Sequence, residues 1–262
     1  MTAAEIANHF VAARQRGQHL ADYPGTVPDT LAAAYAVQDA AIAAFALPVL
    51  GWKVGRIFPP LSDSFGANRL SGPIFKATTL SDGQLAAGQV FVGGFGAAEA
   101  EFVINIASDL PLGRQDYTLE EVEDLIAAVH VGIEIASSPL PTINELGPAV
   151  TVSDFGNNNG LIIGAPIENW QSSNFADWTV DLEIDGTVVG KGAANSFPDG
   201  PIGSVRFLLN NLGARGIPVP ARTWISSGAV TGVHKVTPGQ SVRAFFGPKL
   251  SVNCTIEATP II

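Results

Sequence analysis

From about residue 76 onward the chain is cut into short pieces. Apolar runs recur at Glu101 to Ile106, Gly160 to Ile163, Val180 to Ile184, Thr223 to Ile225 and Ser241 to Phe246, and Gly, Pro, Asp and Asn separate them. Runs this short between turn-formers suit strands and leave little room for long helices. Leu182-Glu-Ile-Asp185-Gly186-Thr-Val reads as a hairpin, because Asp-Gly supplies the positive φ angles of a type I′ turn. Two helices are expected to interrupt the strands. One runs from Thr118 to about Val129, with Thr118 and Glu121 as a capping box, and the other from about Ile202 to Leu212.

The first fifty residues differ in texture. Ile6, Phe10, Val11 and Ala13 fall at helical spacing, and Leu31 to Phe45 is an Ala-rich run opened by Asp29 or Thr30 as its cap and stopped near Pro48. Val49 to Gly55 turns to strand, and Pro59-Pro60 marks a loop. The expected class is α+β: a small helical N-terminal region over residues 1–75, then a β-rich body over residues 76–262.

Charge removes several functions from consideration. The chain carries 14 basic and 24 acidic residues, net −10. Binding to nucleic acid or to an anionic membrane needs clustered Lys and Arg, so neither partner is expected. Cys254 is the single cysteine, which excludes an intramolecular disulfide and a cysteine-type zinc site. The start, Met1-Thr-Ala-Ala-Glu-Ile, lacks the basic and apolar parts of a secretory signal. The apolar run from Ala40 to Trp52 is broken by Pro48 and too short for about 30 Å of hydrocarbon. A cytoplasmic protein is expected, and with only 15% charged residues it should bury many faces, as a homo-oligomer does.

Three acids stand out within apolar surroundings. In Ala98-Glu99-Ala100-Glu101-Phe102-Val103-Ile104 the two glutamates share one strand face, opposite Ala100, Phe102 and Ile104. Glu134 sits alone in Val131-Gly-Ile-Glu134-Ile-Ala136. A carboxylate in such a run is costly unless it is paired or bound to metal. Three oxygen donors from two strands suit Mg²⁺ or Mn²⁺ with positions left for a chelating substrate. The alternative for Glu99 and Glu101 is a solvated strand face. His130, four residues before Glu134, is either an outer group of the same site or a helix-end histidine. Lys53, between Gly51-Trp52 and Val54-Gly55, can hold a carboxylate or hand over a proton, or else is a surface lysine in a Gly-rich bend.

Other patterns fail on context. Asp181 and Glu183 flank an exposed hairpin with no third acid in an apolar strand, and Gly186 to Gly192 is one residue short of a P-loop and lacks the Ser or Thr after Lys191. Gly93-Gly-Phe-Gly96 has no βαβ unit around it, and G-x-S-x-G is absent.

Taken together, Gly51-Trp-Lys53-Val-Gly55, Glu99-Ala-Glu101, Asp109-Leu-Pro111, Gly132-Ile-Glu134-Ile-Ala-Ser137, Val152-Ser-Asp154 with Gly160-Leu-Ile-Ile-Gly164, Ser226-Ser-Gly228-Ala229, and Pro238-Gly239 before Val242 to Gly247 make a fairly specific order. Over nearly its whole length the chain resembles the 2-keto-4-pentenoate hydratase and 4-oxalocrotonate decarboxylase branch of the fumarylacetoacetate hydrolase superfamily. The resemblance implies a mixed β-roll or barrel, homo-oligomeric assembly with or without a pathway enzyme as partner, and a small 2-oxo acid as substrate. It implies Mg²⁺ or Mn²⁺ on Glu99, Glu101 and Glu134, with Lys53 in the active site. The first reading is a hydratase adding water to a 2-hydroxy-2,4-dienoate in the catabolism of aromatic or related rings, with Asn157 or Asn158 orienting substrate or water. Departures from the family pattern at Arg69 to Gly72, Asp154 to Gly160 and Gly200 to Gly203 leave two further readings. One is a decarboxylase of a 2-oxo-enedioate or a hydrolase of an acylpyruvate; the other is a non-catalytic paralogue that binds metal or an active partner.

Overall fold

The computed structural model describes residues 1–81 and 84–260. Helices α1 (Ala3–Gln15) and α2 (Leu31–Phe45) open the chain, each behind a threonine cap. The Thr2 hydroxyl accepts the Glu5 N–H while the Glu5 carboxylate accepts the Thr2 N–H, and Thr30 accepts the Ala33 N–H at 3.2 Å. Thr30, not Asp29, is therefore the cap of α2. Ile6, Phe10 and Val11 of α1 and Val37 and Ala41 of α2 are buried in one cluster with Phe95, Ala136 and Phe155. That packing sets the two helices against the strands that carry the acids.

After them come β1 (Gly51–Arg56), α3 (Leu61–Phe65), β2 (Arg69–Ile74), β3 (Ala77–Thr79), β4 (Ala86–Val90), β5 (Phe95–Ile106), α4 (Leu119–Asp124), β6 (Ile126–Ser138), α5 (Pro148–Ser153), β7 (Asn158–Pro166), β8 (Val180–Ile184) and β9 (Thr187–Gly192). The chain ends with α6 (Gly200–Ala214), β10 (Trp224–Ser226), β11 (His234–Lys235), β12 (Ser241–Phe246) and β13 (Leu250–Ala258). One sheet has the order β2-β1-β10-β5-β6-β7-β3, with β11 added on β5; the other is β4-β13-β12-β8-β9. Among the described residues neither sheet closes, so the fold is α+β with open sheets and no barrel. Phe102 and Ile133 of the first sheet and Val242, Phe246 and Ile256 of the second lie in one apolar core.

Two expectations on local structure change. The helix opened by Thr118 does form with its capping box, but it stops at Asp124 and the chain enters β6 at Ile126. Ile126, Val129, Val131 and Ile133 are β-branched and pair along β5, with Val129 opposite Ile104 and Ile126 opposite Ile106. Burial between strands outweighs a helical continuation there. Helix α6 instead extends beyond the expected Ile202 to Leu212 at both ends. The Asp185-Gly186 hairpin forms as read, with φ of 50° and 77° at its two turn residues. Among the described residues no helix is long and apolar enough to cross a membrane.

Candidate metal centre

Strands β5 and β6 pair antiparallel with Glu99 directly opposite Glu134 and Glu101 opposite Gly132. The three glutamates thereby share one face, and an oxygen from each lies within 4.8 Å of the others. Glu101 and Glu134 are fully buried and Glu99 is 4% exposed, which excludes the solvated strand face. Like charges opposite one another across strands repel, and burial amplifies the repulsion.

The protein answers part of that cost. Lys53 comes from β1, which pairs with β10, which in turn pairs with β5. Its Nζ lies 3.2 Å from Glu134 Oε1, so Lys53 is a buried partner of the acids and no surface residue. Glu101 Oε2 accepts the Ser226 hydroxyl at 2.5 Å and the Gly228 N–H at 2.8 Å. Glu134 Oε1 also accepts the Asn158 side-chain amide at 3.0 Å. Two acceptors remain: Glu101 Oε1 and Glu134 Oε2 are buried without a hydrogen-bond partner. Orphaned buried acceptors are uncommon because each forfeits its hydration. With one ammonium facing three carboxylates and two oxygens unserved, this oxygen-only cluster fits a hard divalent cation.

Burial raises the Glu99 carboxyl to about 7, with Lys53 opposing and Glu134 adding to the rise. Burial, then Glu134 and Glu99, push Glu101 well above the usual carboxylate range. For Lys53 burial alone would favour the neutral amine, but Glu134, Glu99 and Glu101 outweigh it and keep the side chain a cation. A consequence follows for protein stripped of divalent ions. Between the ordinary carboxylate value near 4.5 and about 7 the folded chain holds protons that the unfolded chain has released. Stability should therefore fall as pH rises through that window, since a carboxyl lowered by its partners, such as Glu121 at about 2, has finished titrating below it. Melting temperatures taken in chelator from pH 4.5 to 8 check this, and the gain on adding Mn²⁺ should grow with pH.

Lys53 Nζ also donates to Asn157 Oδ1 at 3.3 Å, and Asn157 Nδ2 donates to Asn144 Oδ1 at 3.1 Å. The turn that carries Asn157 lies close over Gly72, the β2 partner of Lys53; a Cβ there would stand 2.1 Å from the Phe155 carbonyl oxygen. Lys53, Glu99 and Asn157 line a cavity of about 410 Å³ whose apolar wall includes Ile57, Phe58, Leu61 and Leu70. Asn158 does not line it and instead donates to Glu134 Oε1, the oxygen that Lys53 also meets. His130 lies on β6, not at a helix end, about 13 Å along the strand from Glu134. Its Nδ1 is 2.9 Å from the Gly164 carbonyl oxygen and its ring meets Trp224 edge-on, so it takes no part in the cluster. Asp181 pairs with Lys191 on the hairpin, as its sequence context implied.

Arg56, at the end of β1, escaped the sequence reading, and nothing in the pattern around it marks it. It is half-buried on the same cavity, its guanidinium 4.6 Å from the Phe58 ring centre and 5.7 Å from that of Phe197. Among the described residues its guanidinium makes one hydrogen bond, to the Ser196 carbonyl at 3.4 Å, and no ion pair.

Over 97% of both chains the structure matches that of 4-oxalocrotonate decarboxylase from Pseudomonas putida G7, complexed with magnesium and adipate, at a TM-score of 0.79 and 22% identity. The chain has the fumarylacetoacetate hydrolase fold. Within that fold a second likeness is to fumarylpyruvate hydrolase from Pseudomonas aeruginosa, in complex with Mn²⁺ and pyruvate, with a TM-score of 0.56, 15% identity and coverage of 81% of this chain and 91% of that one. In sequence the chain is similar to 4-oxalocrotonate decarboxylase from Pseudomonas putida, 32% identical over 91 residues. That match spans 35% of this chain and only about a third (34%) of the relative's length. No family model matches the chain. The relatives that the chain resembles are named as enzymes, a decarboxylase and a hydrolase.

Proposed function

We propose that the chain is a divalent-metal-dependent lyase that decarboxylates a 2-oxo-enedioate, with Glu99, Glu101 and Glu134 holding Mg²⁺ or Mn²⁺. The observation that carries the reading is the set of groups facing the cavity. Among the described residues Glu99 is the one carboxylate that lines it and no imidazole does, and Lys53 is held as a cation. Hydration or C–C hydrolysis needs a base to activate water. Decarboxylation needs an electron sink, an orienting cation and a proton donor, and these are what the chain offers. The decarboxylase reading thus takes precedence here over the hydratase reading favoured by the motifs. The likeness to 4-oxalocrotonate decarboxylase supports the same choice.

When bound, the ion supplies a Lewis acid for the carboxylate and 2-oxo group of the substrate. The bond between the distal carboxylate and its neighbouring carbon breaks; CO₂ leaves, and the electron pair passes through the conjugated double bond to the 2-oxo oxygen. Lys53, with two of its N–H groups turned to Glu134 and Asn157, keeps the third for the oxygen that gains charge. Asn157 fixes the direction of that ammonium through its bonds to Lys53 and Asn144. The apolar wall around Phe58 and Leu70 favours departure of an uncharged product. Arg56, unpaired and aligned by two aromatic rings, is placed to capture the second carboxylate that a dienoate lacks.

The test is a substrate panel with Mn²⁺: a 2-oxo-enedioate, a 2-hydroxy-2,4-dienoate and an acylpyruvate, read by CO₂ release, loss of the diene chromophore and C–C cleavage. Metal-dependent CO₂ release from the enedioate is expected; hydration of the dienoate without CO₂ release from the enedioate would reverse the choice. Arg56→Leu should raise KM for the enedioate roughly 10- to 100-fold, as for loss of a charge-assisted bond of about 1.5–3 kcal/mol, with a smaller change in kcat.

A further inference from the structure

The turn between α5 and β7 holds three successive residues in the left-handed region, Phe155, Gly156 and Asn157, with φ of 56°, 61° and 58°. For non-glycine residues this conformation is costly and persists where the surroundings over-determine it. The strain falls where the chain places two side chains on the site: Asn157 on Lys53, and Asn158, at the start of β7, on Glu134.

What fixes the turn comes from the other end of the sequence. Arg14, in the last turn of α1, grips Asp154 with two prongs, Nε to Oδ1 at 2.5 Å and Nη2 to Oδ2 at 3.0 Å. Its Nη1 donates to the Asn158 carbonyl at 3.0 Å and its Nη2 to the Ser137 carbonyl at 3.1 Å. The guanidinium carbon lies 5.0 Å from the Phe155 ring centre and 5.5 Å from that of Phe91. One side chain thus holds the residue before the strained turn, the residue after it and a ring within it. Ser138, four residues along β6 from Glu134, donates to Asp154 Oδ2 at 2.6 Å.

We infer that Arg14, with Asp154, is a positioning residue of the site: the N-terminal helix clamps the turn that aims Asn157 at Lys53 and Asn158 at Glu134. The inference rests on the metal-site reading above and extends it to a helix that contributes no group to the cavity. A partner that orients a metal-binding carboxylate is typically worth about 10–100-fold in metal affinity, whereas a buried ion pair with a merely structural role changes the melting temperature and leaves the affinity of the folded protein alone.

The experiment measures Mn²⁺ affinity by calorimetry, kcat and KM, and melting temperature for Arg14→Lys and Asp154→Asn. Both variants should bind Mn²⁺ about tenfold more weakly when folded, with a comparable fall in kcat and little change in KM. Because either variant can unfold, hydrogen exchange on the unsubstituted chain supplies an independent reading. Coupling is reciprocal, so Mn²⁺ should slow exchange in Ala3–Gln15 by more than in Gly200–Ala214, which global stabilisation would protect equally. Folded variants with Mn²⁺ affinity within about twofold of the unsubstituted chain would overturn the clamp alone, as would equal protection of the two helices. Absence of Mn²⁺ binding by the unsubstituted chain would overturn the metal site and the clamp with it.

Discussion

Glu134→Gln is expected to remove divalent-ion-dependent turnover, by on the order of a thousandfold, and with it measurable binding of Mn²⁺. The substitution preserves side-chain volume, so its effect is electrostatic. It deletes the carboxylate that stands opposite Glu99 across the β5–β6 pair and that has an orphaned buried oxygen. It also replaces one anionic donor by an amide whose NH₂ group can bind no cation. Steady-state turnover with Mn²⁺ and titration calorimetry check both halves, and full activity of this variant in chelator would refute the metal site. Loss of Lys53's closest counter-charge is a side effect that the second substitution separates.

Lys53→Met should cut turnover by roughly 100- to 1,000-fold, the usual cost of losing a preorganised donor at developing charge, while leaving Mn²⁺ binding intact or tighter. The ammonium contacts Glu134 directly and competes with any cation for the same carboxylates. Removing it leaves three buried acids with no counter-charge, and the variant in chelator should lose about 3–5 kcal/mol of stability. Added Mn²⁺ should restore most of that loss, so the rise in melting temperature on metal addition should exceed that of the unsubstituted chain. The two substitutions therefore part on metal affinity: Glu134→Gln loses it and Lys53→Met does not. If both weakened it alike, Lys53 would be part of the scaffold and not of the chemistry.

The acid pair and the third acid were legible because strand alternation is local: Glu99 and Glu101 stand two apart, and Glu134 is isolated among apolar residues. Their direct opposition was not, since register is set by the pairing of β5 with β6 over long sequence distance. The same pairing decided the stretch after Asp124, where a helical start gave way to a strand that buries Ile126 and Val129 against β5. Asn157 and Asn158 were singled out together, yet one lines the cavity and the other bonds to Glu134. That division follows from left-handed angles at Phe155 and Asn157; asparagine favours that region, but nothing about a phenylalanine signals it. Arg14 had a faint mark, a cation four residues after Phe10 and beside Ala13 on a helix otherwise read by its apolar residues. Arg56 had none, because its meaning lies in the cavity it shares with Lys53.

The most direct test of the central claim is a crystal structure of the chain with Mn²⁺ and oxalate, a mimic of the chelating end of a 2-oxo acid. Glu99, Glu101 and Glu134 should each place an oxygen on one ion, with oxalate on its remaining positions and the Lys53 ammonium beside an oxalate oxygen. A bare cluster, or an ion bound elsewhere while Glu101 keeps only Ser226 and Gly228 as partners, would contradict it.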